Sequence, residues 1–275
     1  KSAPNASRLK HSPLCHVDPE SCETGPMSEH DVLDGWERAE FTSAGITHET
    51  YRKGTGPGVV VIHEIPGITP KVAQFADEVV ARGFTVVMPD LMGTPGKPPS
   101  APYIAGSMAK LCVAREFTAF ALNKTSPVIA WLRALAHRLH DEVGGPGVGA
   151  VGMCFSGGFA LGMMVDEIML APVLAQPSMP LPIGSSRGAD LHLSPDDEEA
   201  VIQRAQDGCQ VLGLRFAEDK AVGTRFDTLR EKLGDAFIAI ELPSNAKSDH
   251  SVLTEQRDEA SVERVLDFFV EKLQV

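Results

Sequence analysis

One segment decides the fold: Val148-Gly149-Ala150-Val151-Gly152-Met153-Cys154-Phe155-Ser156-Gly157-Gly158. Its apolar first half predicts a buried strand, and its glycines predict a tight turn into a helix. Such a turn holds its central residue above the edge of the sheet. A buried, inert cysteine on a core strand is the alternative. The context favours Cys154 as a nucleophile, with the backbone N–H of Phe155 as one oxyanion-hole donor.

Strands and helices alternate on both sides of this segment. The predicted strands are residues 46–53, 59–64, 85–88, 148–153, 168–174, 210–216 and 236–242. The predicted helices are residues 72–82, 107–122, 127–143, 157–165, 196–207, 222–233 and 256–273. This alternation predicts an α/β protein, with a mostly parallel central sheet and helices on both faces. Residues 1–26 lack periodicity and are interpreted as a flexible tail, and residues 27–275 as one domain.

Composition excludes several classes of function. The chain has 275 residues, of which 43% are hydrophobic, and a formal net charge of −12. An acidic surface repels phosphates, so we expect no nucleic-acid partner. No stretch predicts a membrane span or a signal peptide, and five cysteines at irregular spacing do not form a disulfide framework. We expect a cytoplasmic protein without membrane association, and the sequence leaves monomer and dimer open.

Two further sequence patterns resemble a cofactor site and a metal site. Residues 147–152 spell G-x-G-x-x-G, which would indicate a nucleotide-dependent enzyme. A dinucleotide fingerprint follows a strand and opens a helix, whereas this one lies within the predicted strand. Cys15, His16 and Cys22 lack a second pair of ligands for a metal. We therefore expect neither a cofactor nor a metal.

A cysteine nucleophile needs a base, and two positions near the end of the chain supply one. Enzymes built on a strand–nucleophile–helix turn carry their acid and then their histidine further along the chain. Asp219 follows the predicted strand 210–216, and His250 lies in the loop after strand 236–242. The order predicts His250 as the general base, oriented by Asp219. Glu218 remains the alternative orienting residue.

Three blocks together resemble the dienelactone hydrolase family: residues 61–68 (Val-Ile-His-Glu-Ile-Pro-Gly-Ile), the Cys154 turn, and the positions of Asp219 and His250. The resemblance spans nearly all of residues 58–273. It implies an α/β-hydrolase fold, a triad of Cys154, His250 and Asp219, and cleavage of an ester or lactone through a thioester.

The resemblance also implies roles for three further residues. Glu64 would contact the resting thiol or take its proton, and Ile65 would supply the second oxyanion-hole N–H. Arg115 would hold a substrate carboxylate, because a guanidinium matches a carboxylate with two parallel hydrogen bonds. The alternatives are a strand-end salt bridge for Glu64 and a solvated helix arginine at position 115.

Two positions depart from the family pattern. Ser156 stands where many members have glycine, and Thr254 stands where the prototype has a second substrate-binding arginine. The missing arginine suggests a less anionic substrate, such as an activated ester, an enol lactone or a small aryl ester. The departures also leave a second hypothesis open, a binding or scaffold protein of the same fold with little turnover.

Overall fold

The computed structural model describes residues 32–117, 123–178 and 185–274, and the strands in these ranges form one eight-stranded sheet. The strands are β1 Glu37–Ser43, β2 Ile46–Gly54, β3 Gly58–Ile62, β4 Thr85–Asp90, β5 Val148–Met153, β6 Met169–Ala175, β7 Val211–Phe216 and β8 Phe237–Leu242. Their order in space is β1-β2-β4-β3-β5-β6-β7-β8. β2 pairs antiparallel with β1 and β4, and the other pairs are parallel. The predicted mostly parallel sheet is confirmed.

Helices cover both faces of the sheet. They are α1 Pro70–Ala81, α2 Ala101–Val113, α3 Pro127–Val143, α4 Gly157–Met163, α5 Ser185–Ala189, α6 Pro195–Gln206, α7 Arg225–Leu233 and α8 Glu259–Leu273. Phe75 of α1 and Phe268 of α8 belong to the core on one face. Trp131 of α3 and Phe226 of α7 belong to the core on the other face. The predicted α/β-hydrolase fold is confirmed.

The two central strands explain why the site lies where it does. Every residue of β3 and β5 is buried, as expected for parallel strands covered on both faces. They run side by side in register, with Ile62 opposite Gly152. The residues that follow β3 and β5 therefore leave the sheet next to each other, at its carboxyl edge, where open α/β sheets carry their sites.

The edge strand β1 was not predicted. It forms a hairpin with β2 through Ala44 and Gly45, which both have positive φ angles (51° and 76°). A two-residue hairpin turn of this kind usually contains asparagine, aspartate or glycine at its first position. Because alanine occupies that position here and the strand is largely exposed, neither the turn nor an apolar face indicated the hairpin.

One predicted helix lies in a different place. The apolar pattern predicted a helix over residues 107–122, whereas α2 spans Ala101–Val113 and is followed by a turn at residues 115–117. Pro102 at the start of α2 suits the first turn of a helix, which needs no proline N–H. Residues 118–122, the predicted boundary at residues 26–27, and Cys15, His16 and Cys22 lie outside the described residues.

Across the described ranges, no helix combines the length and the apolar character needed to cross a bilayer. In the same ranges, no group of three or more His, Cys, Asp or Glu side chains is arranged to hold a metal ion.

Candidate active site

Cys154 lies at a strained turn between β5 and α4. Its φ angle is +58°, a left-handed conformation that is uncommon for any residue but glycine and that recurs at functional sites. Gly152 makes the turn possible, because a side-chain Cβ there would lie 2.0 Å from the carbonyl oxygen of Ser156. The predicted strand–turn–helix around Cys154 is therefore present.

Ser156 has a structural role in this turn. Its buried hydroxyl accepts the Met153 N–H at 2.8 Å. The same oxygen lies 3.1 Å from the carbonyl oxygens of Ile62 and His63, to one of which it can donate. A glycine could make none of these bonds. Ser156 thus ties the turn to the end of β3.

Asp219 and His250 meet beside Cys154. His250 Nδ1 lies 2.7 Å from Asp219 Oδ2, and His250 lines the same pocket as Cys154, close enough for the two side chains to interact electrostatically. Asp219 is buried, and its other oxygen accepts the Ala221 N–H at 2.9 Å. Glu218, the alternative orienting residue, is exposed. The geometry therefore favours Asp219 as the partner of His250.

The surroundings of His250 favour its charged form. Burial lowers its pKa, but the negative charge of Cys154 and the hydrogen bonds to Asp219 and Cys154 outweigh burial and raise the pKa to about 11.

Glu64 is buried at the end of β3, and its carboxylate is held by neutral donors. The Ser251 hydroxyl donates to Oε2 at 2.7 Å, the Gln176 amide donates to Oε2 at 3.3 Å, and the Thr254 hydroxyl donates to Oε1. Burial raises the pKa of Glu64, although the two hydroxyl bonds oppose the rise. The expected contact with the resting thiol is not present, because the loop that carries Ser251 and Thr254 holds the carboxylate.

The sequence suggests no role for His63, the residue directly before Glu64. It is fully buried; Nδ1 lies 2.8 Å from the Glu64 carbonyl oxygen and Nε2 accepts the Leu91 N–H at 3.1 Å. These partners fix the neutral tautomer with its proton on Nδ1. Burial lowers the pKa of His63 to about 4. His63 joins the ends of β3 and β4 and takes no part in proton transfer.

Ser178 is a second residue that the sequence did not indicate. Its Oγ lies 3.1 Å from Cys154 Sγ, and its backbone N–H donates to the Cys154 carbonyl oxygen at 3.0 Å. It follows β6, so it reaches Cys154 from the neighbouring strand end. Its position just after a predicted strand, at the carboxyl edge of the sheet, is the signal that could have found it.

The site opens into a pocket of about 370 Å³. Its lining includes Glu64, Ile65, Pro66, Thr69, Pro99, Ile104, Met108, Cys154, Phe155, Ser178, Ala221, Ser248, His250, Ser251, Glu255 and Gln256. Ile65 and Phe155 thus lie on the same pocket as the thiol, as their predicted oxyanion-hole role requires. The prediction for Arg115 is wrong: this residue is exposed in the turn after α2 and does not line the pocket. Arg115 lies in this turn because α2 ends at Val113, whereas the predicted helix continued to residue 122.

A larger cavity, of about 510 Å³, lies on the far side of the loop that contains Thr254. Lys71, Asp249 and Arg257 line it, and no cysteine, serine or histidine belongs to its described lining. Asp249 accepts the N–H groups of Asn245 and Ala246 and so braces its own loop. Size alone does not identify the site, because the smaller pocket contains the reactive groups.

Comparisons with known proteins agree with this fold. No curated protein sequence matches the chain. Among solved structures, it resembles a dienelactone hydrolase from Anabaena variabilis ATCC 29413, with 14% identity over 86% of this chain and 98% of that one (TM-score 0.59). It also resembles a cold-adapted esterase from an Arctic intertidal metagenomic library, with 15% identity over 86% and 92% of the two chains (TM-score 0.56).

These structural likenesses establish the fold alone. The sequence profile of the dienelactone hydrolase family matches residues 45–274, which include the strand ends that carry Glu64, Cys154, Asp219 and His250. A match over most of the chain establishes the family. The chain therefore belongs to the dienelactone hydrolase family, a family of hydrolases with the α/β-hydrolase fold.

Proposed function

We propose that this protein cleaves carboxylic esters or lactones, with Cys154 as nucleophile, His250 as proton carrier and Asp219 as the residue that orients His250. One observation carries the proposal: Cys154 and His250 line the same pocket at the carboxyl edge of the sheet, and the His250 ring is hydrogen-bonded to the buried Asp219 carboxylate. These three residues have the nucleophile–base–orienter arrangement of covalent hydrolases.

The first half-reaction forms a thioester. The Cys154 thiolate attacks the carbonyl carbon, and the carbonyl electron pair moves to oxygen, where the N–H groups of Ile65 and Phe155 stabilise it. As the intermediate collapses, the carbon–oxygen bond to the leaving group breaks. His250 donates its proton to the departing alkoxide.

The second half-reaction uses the same histidine as a base. Acylation removes the negative charge of Cys154, which is one of the causes that raise the pKa of His250. The pKa of His250 therefore falls once the thioester has formed, and the neutral ring can take a proton from water. The resulting hydroxide attacks the thioester carbonyl and expels the thiolate, which regenerates the enzyme.

Esters and lactones suit this chemistry better than amides. A thiolate is itself a good leaving group, so the intermediate expels an amine only if that amine is protonated first. Activated esters and enol lactones have leaving groups that depart without such help.

Replacing the nucleophile tests the proposal. We expect Cys154→Ala to lower kcat/KM for p-nitrophenyl acetate by about a thousandfold or more. Cys209→Ala is the matched control, because Cys209 is also a free, half-buried cysteine but does not line the pocket. Unchanged turnover in Cys154→Ala would overturn the proposal. Folded wild-type protein that hydrolyses no ester in a panel, and whose Cys154 is not selectively alkylated, would instead support a binding protein.

A further inference from the structure

Apart from Cys154 and His250, the ionisable side chains in the described lining of the Cys154 pocket are acidic. Glu64 and Glu255 supply carboxylates. Among the described lining residues none is lysine or arginine, and His250 already faces Asp219 and Cys154. The internal segments 118–122 and 179–184, which lie outside the described residues, contain no lysine or arginine in the sequence. A substrate carboxylate would meet like charge in this pocket.

Two cations close to the pocket are occupied elsewhere. Lys71 lines the neighbouring cavity and forms an ion pair with Glu255 at 3.1 Å. Arg225 is buried, and its guanidinium donates to backbone carbonyl oxygens, including those of Asp190 and Val222. Thr254, which lines the neighbouring cavity, is an uncharged residue that is buried and donates to Glu64. None of these groups is available to hold a carboxylate.

The remaining wall of the pocket is apolar. Ile65, Pro66 and Phe155 lie on the side of the nucleophile, and Ile104 and Met108 of α2 lie across the opening. Ile104 is 39% exposed and so presents apolar surface that a substrate can cover. Each methylene that a substrate buries against such a wall improves binding about fourfold.

We infer that this pocket selects neutral esters with an apolar acyl chain and discriminates against esters that carry a second carboxylate. The inference rests on the proposed ester hydrolysis and names the substrate class of that site. An anionic chain end would meet the carboxylate of Glu255 and no lysine or arginine among the described lining residues, while the apolar wall around Ile104 accepts an alkyl end.

Two matched esters test the selectivity. p-Nitrophenyl hexanoate and mono-p-nitrophenyl adipate differ only in whether the chain ends in a methyl or a carboxylate group. After subtraction of spontaneous hydrolysis, we expect kcat/KM for the hexanoate to exceed that for the adipate by about 50-fold, from like-charge repulsion and lost apolar contact. The salt dependence of the ratio is a second readout, since screening weakens repulsion.

A pair of variants on α2 locates the effect. Ile104→Arg places a cation on the pocket wall, and we expect the preference for the hexanoate to fall about tenfold. Val113→Arg is the control, because Val113 is 80% exposed on the same helix and does not line the pocket. It adds the same charge, and the ratio should stay within about twofold of the wild-type value.

The outcomes separate this inference from the function on which it rests. Equal kcat/KM values for the two esters, or a preference for the adipate, would overturn the selectivity and leave ester hydrolysis standing. An equal fall of the ratio in both arginine variants would remove the pocket wall as its cause. Failure to hydrolyse either ester would overturn the proposed function, and the selectivity with it.

Discussion

Two histidines at the carboxyl edge of the sheet have opposite electrostatics. His63, after β3, is fully buried, and its pKa is lowered to about 4 by burial. His250, in the loop after β8, is partly buried, yet its pKa is raised to about 11 because Cys154 and Asp219 outweigh the burial. The ring of His63 faces a backbone carbonyl and a backbone N–H, whereas that of His250 faces a carboxylate and a thiol.

The comparison shows that partners, not residue type, decide what a buried histidine does. His63 is followed directly by Glu64, and both are buried, but the side chains do not form a pair; the Glu64 carboxylate binds hydroxyl and amide donors instead. The pair suited to proton transfer, Asp219 and His250, is separated by 31 positions in the chain. His63 is a neutral contact between strand ends, whereas His250 is the proton carrier of the proposed mechanism.

The largest effect should come from breaking the charged pair. In Asp219→Asn we expect kcat/KM to fall by about a thousandfold to ten-thousandfold, because the amide can hold His250 in the wrong tautomer and cannot stabilise the imidazolium. Steady-state kinetics with p-nitrophenyl acetate measures the loss.

Glu218→Gln is the matched control for this variant. Glu218 is the adjacent acidic residue and is exposed, so its variant should keep turnover within about twofold of wild type. A small loss in Asp219→Asn, or an equal loss in both variants, would contradict the role given to Asp219.

The second-largest expected effect is a loss of stability at acidic pH, caused by the buried neutral ring of His63. Its folded pKa of about 4 lies below its unfolded value of about 6.5, so its contribution is fully present above pH 6.5 and is lost as the pH falls toward 4. Between pH 7 and pH 5 this amounts to about 2 kcal/mol in the free energy of unfolding.

Urea denaturation of wild type and His63→Gln at both pH values isolates this term, because all other titrating groups are shared. We expect the stability difference between the two proteins to shift in favour of the variant by about 2 kcal/mol on acidification. A difference that stays constant with pH would show that His63 is not held neutral.

The smallest effect on turnover should come from Glu64. Because its carboxylate binds Ser251, Thr254 and Gln176 and not the thiol, we expect Glu64→Gln to retain kcat/KM within about tenfold of wild type. A loss as large as that of Asp219→Asn would instead assign Glu64 to proton transfer.

The burial of Glu64 should make the free energy of unfolding depend on pH in the opposite direction to the burial of His63. Burial raises the folded pKa of Glu64, so its contribution is present below the unfolded pKa and is lost as the pH rises through the folded value. Urea denaturation should therefore show Glu64→Gln gaining stability relative to wild type as the pH rises. A gain on acidification would contradict the raised pKa.

The sequence predicted those parts of the molecule that local patterns determine. The apolar runs of β3 and β5 favoured buried central strands, and the glycines around Cys154 favoured a tight turn. The order of nucleophile, acid and histidine located Asp219 and His250, which the structure brings together. The location of such residues is predictable because the carboxyl ends of parallel strands lie at the same edge of a sheet.

What the sequence could not predict depends on contacts between distant residues. The Thr254 hydroxyl reaches Glu64 across 190 positions in the chain, and no periodicity indicates that bond. The bond of Ser178 to Cys154 and the neutral state of His63 are likewise set by packing. The prediction for Arg115 failed because α2 ends at Val113 and does not continue to residue 122. Arg115 lies in the turn that follows the helix and is exposed to solvent.

The most direct test of Cys154 as the nucleophile is to trap the thioester intermediate on it. Wild-type protein is mixed with p-nitrophenyl acetate, quenched in acid during turnover, digested and analysed by peptide mass spectrometry. We expect one added acetyl group on the peptide that contains Cys154, absent from Cys154→Ala and accumulating in proteins with a damaged base, such as His250→Ala. Turnover with no acetyl group on Cys154, or with the acetyl group on another residue, would contradict it.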